Sequence, residues 1–128
     1  MAEHVQVKLQ TAQGAITVDK MMAPLLQAAW ALGMGTLASC QGDPGKYPGY
    51  GEHDRNTMEF AYILFDDVAA LEAFGKLFTR KRAWMLDVSW HSGRGATGLR
   101  GCVRFPQRDI PMITAALQSC LRGQRRAA

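Results

Sequence analysis

Val5, Val7 and Leu9 alternate with polar residues, the alternation breaks at Thr11-Ala12-Gln13-Gly14, and Ile16-Thr17-Val18 resumes it. A period of two on both sides of a Gly-bearing turn predicts a β-hairpin. The period then lengthens. Leu25, Leu26, Ala29, Trp30 and Gly33 recur at helical spacing. That helix is expected to begin between Asp19, a capping residue, and Pro24, which a helix accepts only near its start. Gly33 or Gly35 can end it in a left-handed conformation. The runs Thr36 to Cys40 and Met58 to Phe65 predict two further strands, separated by a long loop.

Asp66 or Asp67 is placed to cap a second helix carrying Val68, Leu71, Phe74 and Phe78 on one face, with Arg80, Lys81 and Arg82 at its end. Trp84, Leu86, Val88 and Trp90 alternate with Met85, Asp87 and Ser89, which predicts a half-buried strand with both tryptophans facing the core. The turn from His91 to Gly98 leads to a partner strand, Leu99 to Phe105. A last helix is expected from Asp109, bearing Ile110, Ile113, Leu117 and Leu121, and ending at Gly123.

Counted from Ile16, the order is strand, helix, strand, strand, helix, strand. This is the split βαβ, or ferredoxin-like, arrangement of an α+β protein, extended by an N-terminal hairpin strand and a C-terminal strand plus helix. Ile16–Val18, Thr36–Cys40, Phe60–Phe65 and Trp84–Trp90 are then expected to share one sheet. One domain over residues 1–123 is expected, with residues 124–128 as a frayed basic tail. Right-handed crossovers sort the residues between the two ends of the sheet. His4, Asp19, Lys20, Cys40, Arg80 to Arg82, Arg108 and Asp109 fall at one end; Gln13, Gly14, Asp66 and the turn from His91 fall at the other.

Composition adds bounds. At 128 residues, with 48% hydrophobic and 20% charged residues, the chain can bury a core without disulfide or metal staples. No apolar run approaches the roughly 20 residues that span a bilayer, so no membrane association is expected. Cys40, Cys102 and Cys120 are widely spaced and odd in number, which fits reduced thiols and a cytoplasmic setting. Charge is divided along the chain: residues 1–79 hold five basic against nine acidic side chains, residues 80–128 ten against two. A basic half of this kind suits an anionic partner, whether nucleic acid, nucleotide or acidic protein; a solvated Arg-rich surface is the alternative.

Candidate chemistry centres on the loop after Cys40. Gly42, Gly45, Gly49 and Gly51 interleave with Pro44, Pro48, Tyr47, Tyr50 and His53. Loops of this length inside a compact domain are uncommon and usually functional or disordered. Cys40 at a strand end near Arg80 to Arg82 would gain thiolate character, with His53 the candidate base; a buried, inert thiol is the alternative. A metal would draw on Cys40, His53, Asp54, His4 and Glu52, but no paired ligands at zinc spacing occur, so neither metal nor cofactor is expected. Neither G-x-x-x-x-G-K-[ST] nor G-x-G-x-x-G is present. Arg100 and Arg104 share one strand face with Cys102 and, with Arg94 and Arg108, form the best basic stripe, unless the last helix covers that face.

The helix pattern L-x-x-x-W-x-x-G from Leu26, the run T-L-x-S-C-Q-G from Thr36 and the strand A-Y-I-L-F from Ala61 resemble small uncharacterised proteins of actinobacteria and their phages. That resemblance implies no activity. Ser39 to Gly42 is also similar to the S-C-S-G-R element of wybutosine-type tRNA methyltransferases, departing at Gln41 and Asp43, and assigns no residue.

The leading expectation is a small intracellular, non-enzymatic binding protein. It would meet an anionic partner through Cys40, Gly42, Tyr47, Tyr50, His53, Arg80, Arg82, Arg94, Arg100, Arg104 and Arg108. The alternatives are a thiol-dependent enzyme centred on Cys40 acting on RNA or a nucleotide, and a structural or inhibitory protein that assembles, as a homo-oligomer included, through a sheet edge.

Overall fold

The computed structural model describes residues 4–43, 60–79, 83–92 and 97–127. The alternating N-terminal segment forms the expected hairpin: β1 (Gln6–Thr11) pairs antiparallel with β2 (Gly14–Asp19), setting Leu9 opposite Ile16 and Gln6 opposite Asp19. Its two-residue turn needs a positive φ at Gly14 (+112°), and the Thr11 hydroxyl donates to the Gly14 carbonyl at 2.7 Å. One 3-10 turn, Lys20–Met22, leads into α1 (Ala23–Ala31), with Pro24 in its first turn where no N–H is missed. Met22, Leu25, Leu26 and Ala29 are buried, and Gly33 ends the segment at φ +87°.

A second sheet contains β3 (Thr36–Cys40), β4 (Ala61–Phe65), β5 (Met85–His91) and β6 (Gly98–Phe105) in the order β3-β4-β6-β5, every pair antiparallel. Asp67 caps α2 (Val68–Lys76), its carboxylate accepting the Ala70 N–H at 2.8 Å. A 3-10 turn, Gln107–Asp109, precedes α3 (Ile110–Ala127). The protein is therefore mixed α+β, with one two-stranded and one four-stranded sheet among the described residues.

The expected four-strand partnership is corrected at one place. Ile16–Val18 stays in the hairpin, and β6 takes the central position that a split βαβ unit would give to its first strand. A central strand must present apolar residues to the core. Gly101, Val103 and Phe105 of β6 are all buried, whereas Ile16 of β2 is exposed and Val18 alone of that strand adds an apolar side chain to the core.

The three helices share one core with Ala61, Ile63, Phe65, Val103 and Phe105. A chain of tilted and stacked rings, Phe65, Phe74, Phe78, Trp84 and Phe105, links α2 to the sheet at centroid distances of 5.2–6.1 Å. Trp84 is buried and its indole N–H donates to Asp109 at 2.8 Å. Trp90 departs from expectation: it is 65% exposed, with Val88 and Leu99 beside it. The cause is its place on an edge strand, because α2 packs over β6 and β4. Gly123 does not stop α3, which runs on to Ala127. Arg125 and Arg126 lie in its last turn, where cations complement the helix dipole.

Candidate functional site

The side of the sheet opposite this core carries a groove of about 390 Å³. Among the described residues, strand residues alone line it: Ala38, Tyr62, Leu64, Asp87, Ser89, His91, Cys102 and Arg104. α3 buries Ile113 and Leu117 in the core on the other side, so no helix among the described residues covers the arginine face. Register sets the rows: Cys40, Tyr62, Arg104 and Met85 lie side by side across the four strands, and Arg100 sits beside Ser89. Partners across an antiparallel pair share a face.

Arg100 donates through Nη1 to the Asp66 carbonyl, and Arg104 Nη1 lies 3.4 Å from an Asp87 carboxylate oxygen. The Nε atoms of both arginines are buried and meet no hydrogen-bond acceptor among the described residues. Each guanidinium carries five N–H donors, more than its contacts among the described residues use. Burial raises the Tyr62 phenol, and the neighbouring Cys40 and Cys102 add to it. Burial likewise raises the Cys102 thiol.

At the edge of the groove the chain assembles a second set of groups. His4 precedes β1, Asp19 closes β2, and Cys40 closes β3. His4 Nδ1 is 3.0 Å from Asp19 Oδ2, and His4 Nε2 is 2.5 Å from Asp43 Oδ1. Asp19 is 6% exposed, and it accepts from the Gln41 N–H at 2.9 Å and from Gln6 Nε2 at 3.3 Å. The Gly42 N–H donates to Cys40 Sγ at 3.4 Å. Gln107 Nε2 ties this segment to the turn after β6, donating to the Gln41 and Gly42 carbonyls at 3.0 Å each.

Asp43's hydrogen bond raises the His4 pKa most, burial works against it, and Asp19 adds a further rise. Burial pushes Asp19 upward, yet the Gln41 N–H, His4 and Gln6 together hold it below its ordinary value. Burial raises the Cys40 thiol; the Gly42 N–H opposes this, and Asp19 and Asp43 reinforce it. The thiol lies 4.0 Å from His4 Nδ1, but both imidazole nitrogens face carboxylates. As it stands, His4 has no free nitrogen to take a thiol proton.

Among the sequence candidates, the structure gathers Cys40 and Gly42 in this cluster, with His4 and Asp19 from the same expected end of the sheet. Arg100 and Arg104 lie on the open face, and Arg108 is exposed on the turn before α3. Tyr47, Tyr50, His53, Arg80, Arg82 and Arg94 fall outside the described residues. Sequence reasoning treated Asp19 as a helix cap, a bond its side chain does not make. It gave no role to Asp43, Tyr62 or Gln107. The hairpin register carries part of the missed signal, since pairing Gln6 with Asp19 puts His4 two residues beyond Asp19's partner.

No protein-family model, curated protein or solved structure matches this chain. No helix among the described residues is long and apolar enough to cross a membrane.

Proposed function

We propose that the protein acts by binding single-stranded nucleic acid across the open face of its four-stranded sheet. The observation that carries this reading is the pair Arg100 and Arg104 on one strand face, with Arg104 and Tyr62 side by side in the groove there. Proteins that hold single strands combine a basic track for the phosphates with side chains on which bases stack. Arg100 and Arg104 supply the first, and Tyr62 and His91 are available for the second. Asp87, 3.4 Å from Arg104 Nη1, steadies that guanidinium. The basic balance of residues 80–128 favours the same partner.

Fluorescence anisotropy with a labelled single-stranded oligonucleotide over a salt series tests the reading, with a nucleoside monophosphate as competitor. Binding should weaken steeply as salt rises. Competition at low monophosphate concentration would point to a nucleotide pocket instead, and binding absent at low salt would remove nucleic acid altogether.

A further inference from the structure

His4 Nδ1, an Asp19 carboxylate oxygen and Cys40 Sγ come from three separate segments and lie within 4.8 Å of one another. In a tetrahedral zinc shell, with Zn–N and Zn–O near 2.0 Å and Zn–S near 2.3 Å, donor atoms stand about 3.3–3.6 Å apart. The observed 3.0 Å from His4 to Asp19 and 4.0 Å from His4 to Cys40 straddle that spacing, and the Asp19–Cys40 pair also lies within 4.8 Å.

We propose that His4, Asp19 and Cys40 form a zinc-binding site with three protein donors. The surrounding hydrogen bonds are those a metal site requires. Metal-bound histidines almost always give their second ring nitrogen to a carboxylate or carbonyl, which fixes ring orientation. Asp43 occupies that place on His4 Nε2 and turns Nδ1 toward the other two donors. The Gly42 N–H points at Cys40 Sγ, where it would stabilise a thiolate. Asp19 is held by the Gln41 N–H and by Gln6. All three donors are thus oriented before any ion arrives.

Histidine, carboxylate and thiolate together suit zinc better than magnesium or calcium, which take oxygen donors. Three donors leave a fourth position for water or a ligand, the pattern of sites that do chemistry rather than of closed structural ones. Cys40 is in register with Tyr62, so the site borders the groove. It does not rest on nucleic-acid binding.

The experiment titrates the reduced, metal-stripped full chain with Co²⁺ and then with Zn²⁺. One equivalent of Co²⁺ should produce a thiolate-to-cobalt charge-transfer band that Zn²⁺ abolishes. Cys40→Ser should lose the band, and Asp43→Asn should keep it while weakening zinc affinity about 10–100-fold. Absence of the band at stoichiometric Co²⁺, or a band that survives Cys40→Ser, overturns the proposal. Should Cys40→Ser fail to fold, the Cys102→Ser/Cys120→Ser double variant decides. With Cys40 as its one thiol, a retained band supports the site and a lost band overturns it.

Discussion

Gly101 of β6 lies directly under Leu71 of α2: a Cβ built on Gly101 would stand 2.4 Å from the Leu71 Cβ, far inside contact distance. This close approach seats α2 on the central strand and lets Phe74 reach Phe65 and Trp84. Gly101→Val should force the helix off the sheet and cost about 1–3 kcal/mol, the usual range for an overpacked core. A lower urea midpoint with an unchanged slope would confirm it, and an unaltered midpoint would refute the contact.

The two tryptophans of the β5 segment should respond in opposite ways. Trp84 is buried among Phe74, Phe78 and Phe105 and bonded to Asp109, so Trp84→Ala should cost about 3–5 kcal/mol. Trp90 is exposed, so Trp90→Thr should stay within about 0.5 kcal/mol of the parent. Chemical denaturation of both variants checks the contrast. Equal losses would put Trp90 back in the core.

On the open face, the arginines should act through charge. Arg100→Ala and Arg104→Ala should each weaken oligonucleotide binding and reduce the log–log salt slope by about one, the signature of a lost phosphate contact. Arg122→Ala, on the exposed side of α3, serves as the control and should leave the slope alone. Equal effects from all three would indicate diffuse attraction rather than a site.

Cys102 offers a pH test away from the metal-ligand cluster. Burial raises its folded pKa above the ordinary 9.0, Arg104 opposes this and Asp87 adds to it. A thiol raised in this way contributes stability that is complete below its unfolded pKa and lost as pH climbs through the folded value. Stability should therefore fall above about pH 9, and Cys102→Ala should flatten that fall. Alkylation of Cys102 in the native protein should accelerate only at a pH above that of a free thiol. Titration at or below the ordinary value would contradict the burial.

Local patterning made most elements legible. Alternation around Gly14, the Asp67 cap, Pro24 in the first turn of α1 and the left-handed Gly33 are short-range effects, encoded within a few residues and found where the pattern puts them. Gly123 misled because a glycine in a long helix costs only about 1 kcal/mol, which α3 recovers by burying Ile110, Ile113 and Leu117. The site was half legible. The shared end of His4, Asp19 and Cys40 followed from topology, whereas their bonding, and the parts of Asp43 and Gln107, did not.

What the sequence determines by itself is the set of elements, the division of charge and the apolar faces that must be hidden, because these depend on neighbours three or four residues away. Which strand takes the centre of the sheet was decided by competition between β2 and β6 for the same core. Only the assembled protein reveals that β6 hides more apolar surface there. That choice keeps β2 in the hairpin and leaves Arg100 and Arg104 on the sheet face away from the core. It also sets Asp19 at the hairpin's open end, beside His4 and Cys40, from segments 15 and 21 residues away. Contacts of such separation depend on how whole elements pack, which no local pattern encodes.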